Sequence, residues 1–332
     1  MGDFLHIQAH TPHIETYLAA GAAWRVSTNS KPILKAAAES FQSISDAHLA
    51  ADLALRLWVD AQSQSCPPWP KPYVRGLEHL VYAGFSQDSS LIVDLRTRRV
   101  TGRFSVEFAA DAQYWNRVVF PMLLSITAAS LGIAELHCAC VANDGDGLLL
   151  AGPARSGKST LSMALAQSGL GFLADDRTFC SSRDRTLSAY GTLTDLKLRN
   201  DSIFWFPEVQ FENIAHTNHS EIRVQPESLG LFRVRQCEPR LLIFLERHEA
   251  TRCRLVPLAK EEAAHRLEAD LMVECCEVLI RQRKLISLVA ELPCFVLRYA
   301  GSPQAIANKL ASCLGDAIQA RTAPEIAGRL AQ

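Results

Sequence analysis

The stretch Gly152-Pro153-Ala154-Arg155-Ser156-Gly157-Lys158-Ser159 constrains this chain more than any other. It fits G-x-x-x-x-G-K-[ST] at every fixed position. Ahead of it, Leu148-Leu149-Leu150-Ala151 is a short apolar run, the mark of a strand buried on both faces. Behind it, residues Lys158 to Ser168 read as a helix that Gly169 stops. Strand, glycine turn and helix in direct succession bring many main-chain N–H groups to one helix N-terminus, where a polyphosphate is held. Glycine lets the backbone approach the phosphates closely. Lys158 adds positive charge at the β- and γ-phosphates, and the Ser159 hydroxyl suits Mg2+. Gly152 through Ser159, together with Thr160, are therefore the expected nucleotide contacts, with ATP and Mg2+ as cofactors.

A phosphate loop alone does not separate a motor, a switch, a transporter ATPase and a kinase. The next apolar run, Gly171-Phe172-Leu173-Ala174, ends in Asp175-Asp176-Arg177. Carboxylates at the end of a parallel strand lie on the edge where α/β sheets bind ligands. One carboxylate suits Mg2+; the other suits accepting a proton from an attacking hydroxyl. Lys158 and Asp175 are 17 positions apart, room for one short helix and one strand. The strand with the acids is thus expected immediately after the loop helix.

This arrangement resembles the HPr kinase/phosphorylase family, in which a GxxxxGKS loop is followed by a short helix and a strand ending in A-D-D. The matching residues are Gly152 to Ser159 and Ala174-Asp175-Asp176, and His137 stands 15 positions before Gly152, as in that family. Phosphoenolpyruvate carboxykinases share a similar loop, here Gly157 to Thr160. The resemblance covers His137 to Cys180 firmly. It implies that Lys158 binds phosphate, that Ser159 and Asp176 hold Mg2+, and that Asp175 is the base. It also places His137 near the phosphates; on its own, His137 reads equally as a strand histidine bonded to main chain. A later family signature, E-I-R followed by glycines, is matched by Glu221-Ile222-Arg223, but Val224-Gln225-Pro226 follows. That departure points away from HPr as substrate and from the phosphorylase reaction. The N-terminal region and Tyr299-Ala300-Gly301-Ser302-Pro303 look more like HPr-kinase-related proteins encoded beside modified-peptide biosynthesis genes. The implied fold class is α/β, a P-loop kinase core of the HPr kinase/phosphoenolpyruvate carboxykinase type with a smaller N-terminal α/β domain.

At 332 residues the chain suggests about two domains. We expect an N-terminal α/β domain over 1–110, the catalytic domain over 111–315 and a tail over 316–332. In the first, Ser30 and Pro32 open a helix. Leu53 to Val59 reads as a strand, the proline-rich 66–72 segment as an extended connection. His79 to Phe85, Leu91 to Leu95 and Val100 to Phe108 read as an antiparallel meander. Asp111 caps a helix running past Trp115 to Val119, with Pro121 kinking it or starting the next.

Beyond that, Glu135 to Ala142 reads as one strand, and Ser181 to Arg185 as a hairpin turn before Leu187 to Tyr190. Lys197 and Arg199 share a strand face, which either reaches the acceptor or γ-phosphate or is simply solvated. Residues 200–220 read as a loop over the site, Arg240 to Leu245 as a strand, and Glu261 to Lys284 as one or two helices. Pro293 to Tyr299 is a closing strand, and Ser302 opens a helix ending near Leu314.

Net charge is −1, from 34 basic and 35 acidic side chains. A nucleic-acid binder carries a basic surplus, so none is expected as partner. The first ten residues lack a secretory pattern, and Val118 to Ala134 reads as a buried helix rather than a span, so we expect a cytoplasmic protein without membrane association. Cys138-x-Cys140 beside His137 lacks a second ligand pair and reads as buried thiols. The leading reading is an ATP- and Mg2+-dependent kinase acting on a hydroxyl, with serine of a peptide or protein as acceptor. The alternatives are a nucleotide-gated regulatory or assembly protein and a kinase of small-molecule alcohols; a homo-oligomer stays open.

Overall fold

The computed structural model describes residues 10–44, 49–62, 65–182, 186–192, 195–209, 211, 216–218, 221–247, 253–271 and 276–319. The expectations for residues 1–9, for the turn at 183–185, for part of the 200–220 loop and for the tail beyond 319 lie outside these. The chain divides into two compact units, Met1–Gly132 with Val273–Arg281, and Ile133–Met272 with Gln282–Gln332.

The first unit contains β1 (His13–Ala19), β2 (Ala22–Thr28), α1 (Lys31–Ser40), β3 (Gln42–Ile44), β4 (Leu53–Asp60), β5 (Tyr73–Leu77), β6 (Leu80–Gly84), β7 (Ser90–Asp94) and β8 (Arg99–Ser105). Three helices follow, α2 (Val106–Ala110), α3 (Ala112–Tyr114) and α4 (Phe120–Ala128). The strands form one sheet in the order β3-β1-β2-β4-β8-β7-β6-β5. The expected meander is β6-β7-β8, but its last strand stops at Ser105, whose hydroxyl accepts from the Phe108 amide and starts α2. Asp111 caps as expected, accepting from the Tyr114 amide at 2.9 Å. A π-helical turn over Trp115–Val119 then leads into α4. Residue 110 falls inside this unit because the helix beyond it supplies the unit's core. Trp115 packs edge-on against Phe104, and Phe120 against Phe41, with ring centroids 4.9 and 5.2 Å apart.

The second unit contains β9 (Ile133–Leu136), β10 (Ala139–Asn143), β11 (Asp146–Ala151), α5 (Lys158–Gln167), β12 (Gly171–Ala174), β13 (Thr178–Ser181), β14 (Ser188–Tyr190), β15 (Leu196–Arg199), β16 (His216–Asn218), β17 (Glu221–Val224) and β18 (Gln236–Arg247). It ends with β19 (Arg254–Pro257), α6 (Lys260–Glu268), the part of α7 (Cys276–Val289) from Gln282 onward, β20 (Cys294–Tyr299) and α8 (Pro303–Gln319). Nine strands form a mixed sheet in the order β12-β10-β11-β18-β14-β13-β9, with β20 beside β18 and β19 beside β20. Within it β11, β18 and β20 run parallel. Leu161 and Leu165 of α5 and Leu310 and Leu314 of α8 pack with Leu148, Leu150 and Ile243 in one core. Ala263, Leu267, Ile286 and Val289 pack with Leu149, Leu242 and Val296 in another. Successive strand residues point to opposite faces, so this is a sheet with helices on both sides, an α/β fold with mixed sheets. Strands β15, β17 and β16 form a separate small sheet.

Three expectations change. The strand expected over Glu135 to Ala142 is two strands, broken at His137 and Cys138. The acid-bearing β12 is not flanked by β11; it pairs antiparallel with β10, which lies between it and β11, and on its other side makes a single parallel bridge, Phe172 with Arg233. Two antiparallel pairings in a row leave β12 pointing the same way as β11, so the acids still reach the edge where the 152–157 loop begins. Helix α8 runs through Gly315 to Gln319, because Gly315 keeps a negative φ and a Cβ there would meet nothing.

Candidate functional site

Strands β11, β18 and β20 end on one edge of the second sheet, at Ala151, Arg247 and Tyr299. Loop 152–157 crosses that edge alongside Leu245. Gly152 and Gly157 have φ of +138° and +95°, a region that side-chain-bearing residues avoid. A Cβ at Gly152 would lie 2.9 Å from the Leu245 carbonyl oxygen, and one at Gly157 would lie 2.3 Å from the Tyr299 hydroxyl. Tyr299 donates to the Ser156 carbonyl, so the last strand holds the loop down. Arg155, at the crest, takes a left-handed φ of +69°.

The loop delivers the chain into α5, whose first residue is Lys158. Gly157 has no side chain to cap α5, which leaves first-turn N–H groups for something else to satisfy. The Lys158 ammonium curls under the loop and donates to the carbonyls of Gly152 (2.6 Å) and Pro153 (3.3 Å). Beside it the Ser156 hydroxyl is buried with no hydrogen-bond partner among the described residues. Thr160 bonds Ser202 at 3.1 Å.

The acids arrive through a matched pair of strand breaks. Leu136 lies opposite Thr178, and Cys140 opposite Ala174. Between these pairings both chains leave the ladder, which sets His137 against Asp176. His137 Nε2 lies 3.1 Å from Asp176 Oδ1, and the Thr178 hydroxyl pins the other break by donating to the Cys138 carbonyl at 2.9 Å.

Asp175 and Asp176 meet different environments. Asp175 is 3% exposed. Its Oδ2 accepts from the Lys197 amide at 2.8 Å, and its Oδ1 has no hydrogen-bond partner among the described residues. Burial pushes its carboxyl up to about 6, against the downward pull of the Lys197 amide and the nearby Ser159 hydroxyl. Asp176 goes the other way. The hydrogen bond from His137, then the Lys197 ammonium 2.7 Å away, hold its carboxyl well below the usual carboxylate range.

These residues line one cleft of about 450 Å³, within the usual range for ligand pockets. The structure brings together every expected site residue from Ala154 to Thr160 with His137, Asp175 and Asp176; Gly152 and Pro153 lie outside the lining, their carbonyls accepting from Lys158. Lys197 and Arg199, left open between two readings, both line it. So do Arg247, Trp205, Tyr299 and Pro303. Asp270, 3.7 Å from His137 Nδ1, had no signal in the sequence, since it stands alone after a charged helix. Glu221 and Arg223 lie on β17, paired to each other at 3.5 Å and outside the lining.

Cys138 and Cys140 are buried thiols, the latter 3.7 Å from Cys237 Sγ. Burial pushes Cys138 up to about 12. No group of three or more potential ligands among the described residues is arranged to hold a metal. No described helix is long and apolar enough to cross a membrane.

No protein-family model matches this chain, and no curated protein does. Among solved structures, that of the HPr(Ser) kinase/phosphatase from Coxiella burnetii is similar at 16% identity and a TM-score of 0.30. That similarity covers 54% of this chain and 94% of the other. It is a distant structural relationship.

Proposed function

We propose that this chain is an ATP- and Mg2+-dependent phosphotransferase that moves the γ-phosphate to a hydroxyl, with serine of a peptide or protein as acceptor. One observation carries this reading: the glycine loop with Lys158 and the buried carboxylate of Asp175, whose Oδ1 has no hydrogen-bond partner among the described residues, open into a single cleft. The residues fit the groups they are asked to hold. The glycines leave no room for a Cβ, the α5 amides need acceptors, and Ser156 Oγ is an orphaned donor at the cleft wall.

In this reading Lys158 exchanges the loop carbonyls for phosphate oxygens, and the first turn of α5 supplies N–H donors. Ser159 and the ionised Asp176 offer hard oxygen ligands of the kind Mg2+ takes. The metal, when bound, neutralises charge on the phosphates. Asp175 receives the acceptor's proton. Its carboxyl, raised to about 6, is mostly ionised at pH 7 yet basic enough to take a proton. The Lys197 amide keeps that carboxylate aimed while Lys197 and His137 hold its neighbour.

The test is intact-mass analysis of candidate serine peptides after incubation with ATP and Mg2+. One added phosphate, lost with Asp175→Asn, supports the reading. ATP bound tightly with no phosphorylated product overturns it in favour of a nucleotide-gated binding protein. Phosphate gained only by small alcohols keeps the chemistry and replaces the acceptor.

A further inference from the structure

Strand β5 closes one edge of the eight-stranded sheet, and among the described residues no strand follows it in the sheet order. All five of its residues, Tyr73 to Leu77, are exposed. A two-residue turn, Glu78-His79, joins it to β6, with Leu77 opposite Leu80 and Glu78 in the left-handed region at φ +53°. In a hairpin of that kind the bonded pairs alternate outward from the turn. Tyr73, Arg75 and Leu77 therefore exchange bonds with β6, and Val74 and Gly76 direct their N–H and C=O groups away from the sheet. Natural edges are normally shortened, bulged, charged or covered. This one is regular, and Val74 is exposed on the face where the neighbouring strands bury theirs.

The outward face beside that edge is chemically uneven. Tyr73, Leu77, Leu80, Tyr82 and Ile92 are 40 to 75% exposed. Cross-strand pairing continues the same face through Arg75, Arg99, Arg103 and Arg56. The Arg75 guanidinium lies 5.3 Å from the centre of the Tyr73 ring. The acids on this face are engaged locally: Asp94 accepts the amides of its own turn at 2.9 and 3.0 Å, and Asp60 accepts from Arg103 at 2.6 Å. Glu78 stands in the hairpin turn at the rim.

We propose that β5 is a docking edge for an extended, acidic segment of another protein, which adds as a ninth strand. Its backbone would bond the outward groups of Val74 and Gly76, and an acidic side chain would face Arg75, while the arginines of β8 and β4, about 19 Å or more away across the intervening strands, add only a long-range positive field. Two other occupants fit less well. A second copy pairing antiparallel about Arg75 sets two guanidinium groups directly opposite each other, which is unfavourable. A nucleic acid has no backbone N–H or C=O pattern to pair with a strand edge. This inference concerns the first unit only and does not depend on the phosphotransfer reading.

The test uses the full chain and a fluorescein-labelled heptapeptide of alternating Glu and Val, followed by anisotropy. Binding that weakens with added salt is expected, with the Lys-Val heptapeptide at least about tenfold weaker. Gly76→Pro removes an outward N–H without touching the ladder to β6, and should weaken binding about tenfold. Gly76→Ala should bind as the wild type, because a Cβ there meets nothing within 4 Å. Arg75→Glu should also weaken binding and keeps the test decisive if the proline variant misfolds. Equal binding by wild type and both variants overturns the proposal. So does a dimer in sedimentation velocity that Gly76→Pro dissociates, or a single-stranded oligonucleotide that binds tighter than the peptide and is lost with Arg75→Glu.

Discussion

The main-chain N–H of Lys197 holds Oδ2 of Asp175 at 2.8 Å, while the same residue's ammonium reaches Asp176 at 2.7 Å. One residue thus supports both carboxylates by two independent means. Replacing the side chain should release one acid and leave the other anchored. In Lys197→Met both carboxyls should titrate at higher pH, Asp176 more strongly because it loses a direct contact. A depressed carboxyl stabilises the fold above its unfolded pKa and loses that contribution as pH falls through its folded one. The variant should therefore unfold at a higher pH during acid titration, and carbon-detected NMR of the Asp carboxyls would follow the shifts.

Asp175→Asn keeps the size of the side chain and its bond to the Lys197 amide. If Asp175 takes the acceptor's proton, turnover should fall about 10²- to 10⁴-fold. Nucleotide affinity, set by the loop, should stay within about twofold of the wild type. A radiolabel transfer assay and a calorimetric titration with ATP measure the two separately.

The same carboxyl gives a pH signature with a definite sign. Its folded value of about 6 lies above the ordinary aspartate value of 3.8, so its contribution to stability is present below pH 4 and is lost as pH rises through 6. Turnover should increase across that interval as the base ionises. Asp175→Asn should be the more stable protein above pH 6, by on the order of 2 kcal/mol, and should converge with the wild type below pH 4. Thermal melts at pH 4 and pH 8 decide this.

Gly157 and Tyr299 should be energetically coupled. Gly157→Ala sets a methyl group 2.3 Å from the tyrosine hydroxyl at a φ of +95°, and should cost about 2–3 kcal/mol. Tyr299→Phe removes the atom in contact but not the backbone strain. In a double-mutant cycle the alanine change should cost less when phenylalanine is already present. Urea melts of the four proteins measure the coupling.

Lys158→Met removes a nearly buried charge and retains the length of the stem. Folding should survive it, while affinity for ATP should drop about 10- to 100-fold, the range for a lost bond to a charged group. Unchanged affinity would separate the loop from nucleotide binding.

Much of the second unit could be read because its signals are local. The 148–169 strand, loop and helix succeed one another without a gap, and Gly169 ends α5 with a φ of +103°, as a C-terminal glycine should. The twin acids follow a run too apolar to be anything but a strand. What escaped depends on partners far away in sequence. Nothing in Glu135 to Ala142 announces that the strand breaks at His137, because the cause is a matching break at Asp175–Arg177. Lys197 looked ambiguous since its role is set by which sheet edge β15 approaches. In the first unit β1 and β2 went unread. Trp24 and Val26 alternate with Arg25 and Ser27, but the pattern is short and carries no asparagine-glycine turn; Ala20 adopts a φ of +48° in its place. The unit's true end was hidden because a helix of mostly apolar residues looks the same whether it opens one core or completes another.

The bond from Tyr299 to the Ser156 carbonyl spans 143 positions, which orders events during synthesis. The ribosome releases the glycine turn long before it makes the residue that clamps it. Until translation has passed Tyr299, a nascent polypeptide has the motif's letters without the clamp that fixes its shape.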